Sequence, residues 1–383
     1  MARFSKIRLL MATLLFATPA SAEDDDIMRL RRALENGDAL VASKANSAEL
    51  YSLVERMAHY KVPGLSVAVV EDGATVFADA YGDARVGEPA TPVTLFQAAS
   101  ISKPVTAVAV MRLVEMGKLN LDADISTYLT SWDLPEGAQD AAHPVTIRRI
   151  LSHTAGFTVH GFRGYAPDEP VPTVIEVLGG AAPANSPAIY VDQPPGASWR
   201  YSGGGYTVLQ QLMEDVTGQP FAELMQVLVL EPFGMSHSTF MQPLDGLHYA
   251  FAAGAHDEEG KARPTHTYPE LAAAGLWTTP SDLAALLVNL MASYRGEGGV
   301  LSKASVVVLT TQVSDGMGPG FAVDGQGEGL RLTHGGSNRG FRCFLAAWPE
   351  RGQGVVLMGN GEQGGPLQRE VFENLTRHYG WPG

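Results

Sequence analysis

The sequence has a single cysteine, Cys343, among 383 residues, so no intramolecular disulfide can form. It lies in a strand-like apolar sequence, which favours a buried small hydrophobe over a nucleophile. Charged side chains are also scarce, at 18% of the chain against roughly 25% in an average globular protein. Lys and Arg number 27 and Asp and Glu 41, for a net charge of -14, which argues against a nucleic-acid partner.

Long hydrophobic runs are missing as well, and no segment is long enough to span a bilayer. The nearest approach is the apolar run 9–17, which follows three basic residues and precedes an Ala-Ser-Ala sequence. This order is typical of a cleaved secretory signal peptide, although an uncleaved N-terminal anchor is an alternative. We predict a signal peptide at 1–22 and a mature chain secreted across the inner membrane into the periplasm, with no stable membrane span.

Alternating apolar residues predict strands at both ends of the chain. The runs 65–70 and 75–81 are separated by an Asp-Gly turn and predict a hairpin. Further strands are predicted at 330–334, 341–348 and 355–358. Helical periodicity is found at 47–59, 105–116, 206–217, 221–230, 283–294 and 367–379.

Strands at both ends with helices between them predict an α/β (α+β) fold. The expected architecture is an antiparallel β-sheet flanked by helices, with an inserted, mostly helical subdomain. Residues 23–383 would form a single catalytic domain. Its sheet part is predicted at about 45–100 and 295–383, and its helical part at about 101–294. The crevice between the two parts is the expected functional site.

The sequence Ser100-Ile101-Ser102-Lys103 stands at the start of an apolar helix. Residues three apart share one helix face, so Lys103 can reach the Ser100 hydroxyl. A lysine in a dry pocket can lose its proton and activate a serine, and free N–H groups at a helix start favour an oxyanion. A helix-capping serine followed by a surface lysine is the alternative. Ser102 is expected to face elsewhere and to tolerate replacement by alanine.

Two later segments supply groups that such a serine needs. Tyr201 precedes a helix, and its phenol can act as a second acid or base near an ammonium group. The sequence His334-Gly335-Gly336-Ser337 follows a predicted strand. Its glycines allow a substrate to lie close to the strand edge, and the main-chain N–H of Ser337 can complete an oxyanion hole with that of Ser100.

These motifs, in this order, resemble the serine β-lactamase and penicillin-binding-protein-like superfamily, in its class C β-lactamase and family VIII carboxylesterase branch. The resemblance spans about residues 45–380. It implies the fold predicted above, acylation of Ser100, and proton transfer by Lys103 and Tyr201. It also implies that His334, Gly335, Gly336 and Ser337 border the acyl pocket. Further matching stretches are 150–157, 195–206, 230–235 and 274–279.

Two departures from that family narrow the expected activity. The second motif usually reads Tyr-x-Asn, but here Gly203 replaces the amide that grips a substrate's amide carbonyl. The third motif usually begins with lysine, but here His334 is largely neutral above about pH 6.5. A substrate carboxylate therefore loses its obvious partner. Arg339, in the following loop, is the favoured replacement, ahead of Arg342.

We therefore predict an exported serine hydrolase that cleaves small carboxylic esters through a serine acyl-enzyme. The first alternative is a class C-like β-lactamase or a D-Ala-directed peptidase, and the second is a non-catalytic peptidoglycan-binding relative. The expected partner is a small-molecule ester or amide, and the oligomeric state stays open. No cofactor is predicted. No metal is predicted either, because His153 and His160 have no carboxylate or thiol at metal-like spacing, and we interpret His153 as a structural turn residue.

Overall fold

The computed structural model describes residues 40–41 and 50–382. The predicted signal peptide, 1–22, lies outside the described residues. In the described part of the chain, no helix combines the length and apolar character that crossing a membrane requires.

The secondary structure is mixed. The strands are Leu40–Val41 (β1), Leu50–Tyr51 (β2), Gly64–Glu71 (β3), Ala74–Arg85 (β4), Glu88–Pro89 (β5), Phe96–Gln97 (β6), Ala255–His256 (β7), Ala262–Arg263 (β8), Trp277–Thr278 (β9), Ala322–Asp324 (β10), Arg331–Asn338 (β11), Phe341–Trp348 (β12) and Gln353–Gly359 (β13). The α-helices are Leu53–His59 (α1), Ser102–Glu115 (α2), Ile147–Leu151 (α3), Val174–Gly179 (α4), Gly203–Thr217 (α5), Phe221–Met225 (α6), Gly246–Tyr249 (α7), Leu271–Ala274 (α8), Pro280–Arg295 (α9), Lys303–Leu309 (α10) and Gly364–Tyr379 (α11). Shorter turns are Ala99–Ile101, Ile125–Thr127 and Gly327–Gly329, of the 3-10 type, and the π-helical turn Gln226–Leu230.

Seven strands form the main sheet, in the order β10-β11-β12-β13-β3-β4-β5, and all neighbours are antiparallel. The N-terminal hairpin β3–β4 and the C-terminal strands β11–β13 join where β13 pairs with β3. The two ends of the chain therefore share one antiparallel sheet, which confirms the predicted fold class.

Helices cover both faces of the sheet, so its interior strand β3 is buried along almost its whole length. Leu65, Val67 and Val69 point to one face, where they pack with apolar residues of α1 and α11. The alternate residues Ala68 and Val70 point to the other face and join a larger core that includes α2, α5 and α9. Each fully buried aliphatic side chain stabilises the fold by about 1.5–3 kcal/mol.

Several predicted elements have different limits in the structure. The helix predicted at 47–59 begins at Leu53, because Ser52 and Glu55 form a capping box there; positions 47–49 lie outside the described residues. Strand β11 continues four residues beyond the predicted end at 334, so the glycines of the third motif are strand residues. The run 221–230 is not one α-helix, because a π-helical turn follows α6.

The boundary predicted between the helical and sheet parts, at 294–295, falls inside α9. This helix starts where the Thr279 hydroxyl accepts a hydrogen bond from the Asp282 N–H, with Pro280 in the first turn. It packs against β3, β4 and β13. One sheet face therefore packs against α9, most of which the sequence pattern assigned to the helical part.

Candidate active site

Ser100 lies in the 3-10 turn that leads into α2. The preceding residue, Ala99, has φ 51°, a left-handed conformation that is uncommon for a residue with a side chain. The Ser102 hydroxyl stabilises this turn, because it donates to the Ala99 carbonyl (2.6 Å) and accepts from the Leu276 N–H (3.0 Å). Ser102 is fully buried. The Ser102 hydroxyl thus faces away from the cavity, as expected, and the retention of activity in Ser102→Ala stays a prediction. Its loss would leave the buried Leu276 N–H without this partner, so the substitution should lower stability.

The Lys103 side chain is held between the nucleophile turn and α8. Its Nζ donates to Ser100 Oγ (3.1 Å) and to the Ala273 carbonyl (2.8 Å). The residue is only 2% exposed. Lys103 Nζ also lies 4.9 Å from the Tyr201 ring centroid and 5.7 Å from that of Tyr206. These contacts hold Lys103 Nζ beside Ser100 Oγ, where it can take the serine proton.

Tyr201 stands beside Lys103 at the start of α5. Its ring is surrounded by three imidazoles, with centroid distances of 4.3 Å to His153, 4.9 Å to His160 and 6.5 Å to His334. Helix α5 begins directly after Ser202, whose hydroxyl accepts from a first-turn N–H. The capped helix start and the packed rings together fix the Tyr201 ring next to Lys103 Nζ.

His153 supports this arrangement as a buried turn residue with φ 58°. Its Nδ1 accepts a hydrogen bond from the Ser202 N–H (3.1 Å). Burial, with a smaller contribution from the positive charge of Lys103, holds the pKa of His153 well below its ordinary value. The imidazole is therefore neutral, and the structural interpretation of His153 is confirmed.

The third motif occupies β11 opposite the nucleophile turn. The pairing of β10 with β11 ends at Thr333, and no described strand continues it along 334–338. This free edge faces the nucleophile turn, so a substrate can lie along it. Gly336 makes the close approach possible, because a Cβ there would collide with the Ala98 carbonyl. Ser337 is exposed on the same edge, and its oxyanion-hole role stays a prediction.

His334 is nearly buried, with 7% of its surface exposed, and its Nδ1 donates to the Gly335 carbonyl (2.8 Å). Burial and the nearby charge of Lys103 lower the pKa of His334 to about 4. The ring is therefore neutral to a lower pH than the sequence alone predicts, and it provides no cation for a carboxylate at neutral pH.

A cavity of about 1010 Å³ connects these groups. Ser100, Lys103 and Tyr201 line it together with Gly335, Gly336 and Ser337, so the structure brings the three predicted motifs to one site. His334, which was expected to border the pocket, is not among the lining residues. The cavity is also lined by residues that the motifs did not predict: His160, Gly161, Phe162, Arg163, Ala273, Ala274, Asn338, Arg342, Cys343, Phe344, Gly365, Gln368, Arg369, Phe372 and Glu373.

The structure places Arg342, not Arg339, in the lining of the cavity, against the preference for Arg339. Arg342 lines the cavity and forms an ion pair with Glu362. Arg339 is exposed at the end of the strand, is not among the lining residues, and its N–H donates to the Tyr268 hydroxyl (3.0 Å). Arg339 lies beyond the cavity because β11 continues to Asn338, so the turn that contains Arg339 begins further along the chain than the sequence pattern predicts.

Cys343 is buried in β12, as predicted, and its thiol donates to the Gln97 carbonyl (3.1 Å). Burial raises the pKa of this thiol far above its ordinary value, so it is not a thiolate at neutral pH. Within residues 50–382, His, Cys, Asp and Glu side chains form no group of three that could hold a metal ion.

Glu270 is an unexpected feature behind the site. It immediately precedes α8, whose Ala273 carbonyl holds Lys103, and its side chain is completely buried. Neither carboxyl oxygen has a hydrogen-bond partner among the described residues. Removal from water raises the pKa of Glu270 from 4.5 to about 8. The carboxyl group is therefore neutral in the folded protein below about pH 7.

We expect Glu270→Gln to remove a pH-dependent loss of stability. Between about pH 4.5 and 8 the folded protein keeps the Glu270 proton that the unfolded chain has released, so rising pH favours unfolding. The gain in unfolding free energy from the substitution should therefore be larger at pH 8.5 than at pH 5, by on the order of 4 kcal/mol. Urea unfolding at both pH values measures it, and an equal gain at the two would contradict the assignment.

Comparison with known proteins gives consistent matches. The family model described as Beta-lactamase matches residues 52–377. Penicillin-binding protein 4 of Amycolatopsis lactamdurans is 27% identical over 339 residues, which cover 82% of this chain and 85% of that protein. Esterase EstB of Burkholderia gladioli is 32% identical over 195 residues, 47% of this chain and 48% of the esterase.

Solved structures share the fold. The octameric penicillin-binding protein homologue from Pyrococcus abyssi has a TM-score of 0.71 and 27% identity, with coverage of 86% of this chain and 76% of that one. A beta-lactamase/D-alanine carboxypeptidase from Yersinia pestis has a TM-score of 0.64 and 18% identity, covering 85% of this chain and 97% of that one.

Proposed function

Because the chain belongs to the β-lactamase family of serine hydrolases, we propose that it cleaves small carboxylic esters through an acyl-enzyme on Ser100. The observation that carries this proposal is the contact of Lys103 Nζ with Ser100 Oγ beside Tyr201, on a cavity bordered by the free edge of β11. A nucleophile, a base and a second proton carrier are thereby within one site.

The proposed reaction has two balanced halves. Lys103, in its neutral form, takes the Ser100 proton while Oγ attacks the ester carbonyl, and the N–H groups of Ser100 and Ser337 stabilise the oxyanion. The carbon–oxygen bond to the alcohol then breaks, and the alcohol leaves with a proton delivered through Tyr201. Water attacks the acyl-enzyme in the second half, with Tyr201 or Lys103 accepting its proton, and the acid is released while Ser100 regains its hydrogen.

Two features support an ester over a β-lactam. The His334 ring is neutral, and its Nδ1 proton is already donated to the Gly335 carbonyl. At the second motif, a Cβ on Gly203 would meet the His160 carbonyl and the Phe162 ring at 3.1 Å each. Gly203→Asn therefore cannot supply the missing amide without local displacement. A simple ester needs neither group.

We expect kcat/KM for a short-chain p-nitrophenyl ester to exceed that for a chromogenic cephalosporin by at least about tenfold. One missing charge-assisted hydrogen bond weakens transition-state binding by roughly 1.5–3 kcal/mol, which corresponds to that factor. Initial rates on both substrates and on a D-Ala-D-Ala peptide, with Ser100→Ala as the background control, provide the comparison. Comparable or greater efficiency on the cephalosporin or the peptide would overturn the ester assignment.

One observation favours the alternative, a β-lactamase or D-Ala-directed peptidase. Arg163, Arg342 and Arg369 line the cavity, and a guanidinium group binds carboxylates well. Similarity to penicillin-binding protein 4 points the same way. A non-catalytic peptidoglycan-binding protein is less consistent with the joint presence of Ser100, Lys103 and Tyr201.

Export into the periplasm is part of the same proposal and is supported by the signal-peptide pattern at 1–22. We expect protein recovered from a periplasmic extract to begin at Glu23. N-terminal sequencing measures this directly. A chain that retains the first 22 residues and fractionates with membranes would support an uncleaved anchor instead.

A further inference from the structure

Part of the cavity lining lies between β12 and α11, on the sheet face opposite to α2. We call this the distal arm and define it by Gly335, Phe344, Arg369, Phe372 and Glu373, all of which line the cavity. Gly335 and Phe344 are cross-strand partners, so they lie on the same sheet face. A Cβ on Gly335 would meet one atom within 4 Å, at 3.9 Å, so the space above this residue is open. Because Gly335 has no side chain, the distal arm is open to the region beside Ser100.

The walls of the distal arm are aromatic. Phe344 and Phe372 are in an edge-to-face contact with their centroids 5.1 Å apart, and both are only partly buried. An aliphatic chain could lie against these rings and lose apolar surface to them.

The arginines that line the cavity differ in whether they have an ion-pair partner. Of the guanidinium groups that line the cavity, Arg163 pairs with Glu169 and Arg342 pairs with Glu362. Arg369, by contrast, forms no ion pair with a described residue, although Glu373 lies one helical turn further along α11. An exposed guanidinium at the end of an apolar wall, on a chain with net charge -14, is available to an anion from solution.

We infer that Arg369 binds a carboxylate at the far end of the substrate's acyl chain, an inference that rests on the proposed ester hydrolysis. The planar guanidinium matches a carboxylate with two parallel hydrogen bonds. The acyl carbonyl then lies at Ser100, the methylene groups lie along Phe344 and Phe372, and the acid group is at Arg369. The preferred substrates are esters of dicarboxylic acids with one free carboxylate.

The test compares two fluorogenic esters of equal length: the 4-methylumbelliferyl monoester of adipic acid and the corresponding adipamate, whose neutral carboxamide replaces the carboxylate. We expect the wild-type protein to prefer the adipate in kcat/KM by about fivefold at low salt, the scale of a solvent-exposed ion pair. The preference should decrease in 0.5 M NaCl because salt screens such a pair.

Three variants test whether the preference for the adipate ester depends on the distal arm. Arg369→Gln should abolish it, because kcat/KM for the adipate should decrease more than kcat/KM for the adipamate. Glu373→Gln removes the nearby negative charge and should increase the preference by about twofold. Arg377→Gln is the matched control, because Arg377 is exposed on the same helix but is not among the cavity-lining residues.

The outcomes separate the two proposals. If wild-type protein hydrolyses both esters equally and Arg369→Gln changes neither rate, the carboxylate site is refuted while ester hydrolysis stands. If neither ester is hydrolysed although Ser100 reacts with a fluorophosphonate, the proposed ester function itself fails. An equal loss of preference in Arg377→Gln would show a general charge effect and would also refute the site.

Discussion

Ser100→Ala should abolish both ester turnover and labelling by a fluorophosphonate probe. Ser100 Oγ accepts a hydrogen bond from Lys103 Nζ (3.1 Å) and lies in the cavity, so its removal deletes the atom that forms the acyl-enzyme. We expect kcat to decrease by at least about 10⁴-fold, the scale seen when a catalytic serine is removed. Intact-mass measurement of labelled protein and p-nitrophenyl ester hydrolysis provide the two readouts.

The control is Ser126→Ala, which removes an exposed serine hydroxyl from the turn Ile125–Thr127. It should keep labelling and turnover at the wild-type level. Ser102→Ala cannot serve this purpose, because its hydroxyl holds the Ala99 carbonyl and the Leu276 N–H. Undiminished labelling of Ser100→Ala, with the fold intact by circular dichroism, would show that another residue is the nucleophile.

The local parts of the site were predictable because helical geometry alone relates them. A spacing of three residues brings Lys103 to Ser100 without knowledge of any distant segment. The strand patterns at the two ends of the chain likewise predict the shared sheet. The pairing of β13 with β3 then makes the remote strands neighbours.

Other parts depend on long-range register, which the residue pattern does not contain. Arg342 reaches the cavity because β11 continues to Asn338 and places Arg339 past the site. The Ala273 carbonyl that anchors Lys103 is 170 residues away in sequence, in a short helix with no distinctive motif. The side chains of α11, including Arg369, enter the site through packing against β12, which helical periodicity alone does not predict.

The conformation of single residues was likewise beyond the sequence pattern. Ala99 has a left-handed backbone although alanine rarely adopts it, and contacts around Ser102 maintain it. Gly336 is required by the nearby Ala98 carbonyl, whereas its neighbour Gly335 faces open space. The two glycines look equivalent in the sequence, and only the approach of the nucleophile turn distinguishes them.

Removal of the Lys103 amine should be the second severe loss of activity. We expect Lys103→Met, which keeps most of the side-chain volume, to decrease kcat by on the order of 10² or more, because no base remains beside Ser100. Stability should decrease by about 1–3 kcal/mol, since the buried Ala273 carbonyl loses its donor. Steady-state kinetics and thermal unfolding separate the two effects. Lys118→Ala, an exposed lysine just beyond the end of α2, should change neither quantity.

The two tyrosines that flank Lys103 provide a sharper test of the same proton path. Their rings lie at 4.9 Å (Tyr201) and 5.7 Å (Tyr206) from Nζ, but the Tyr206 hydroxyl donates to the buried Leu151 carbonyl. Tyr201→Phe should therefore decrease kcat by about 10² with an unchanged thermal midpoint, whereas Tyr206→Phe should lower stability by about 1–3 kcal/mol and keep kcat. If Tyr201→Phe retains the wild-type kcat, proton transfer does not pass through Tyr201, and Lys103 alone must serve both halves of the reaction.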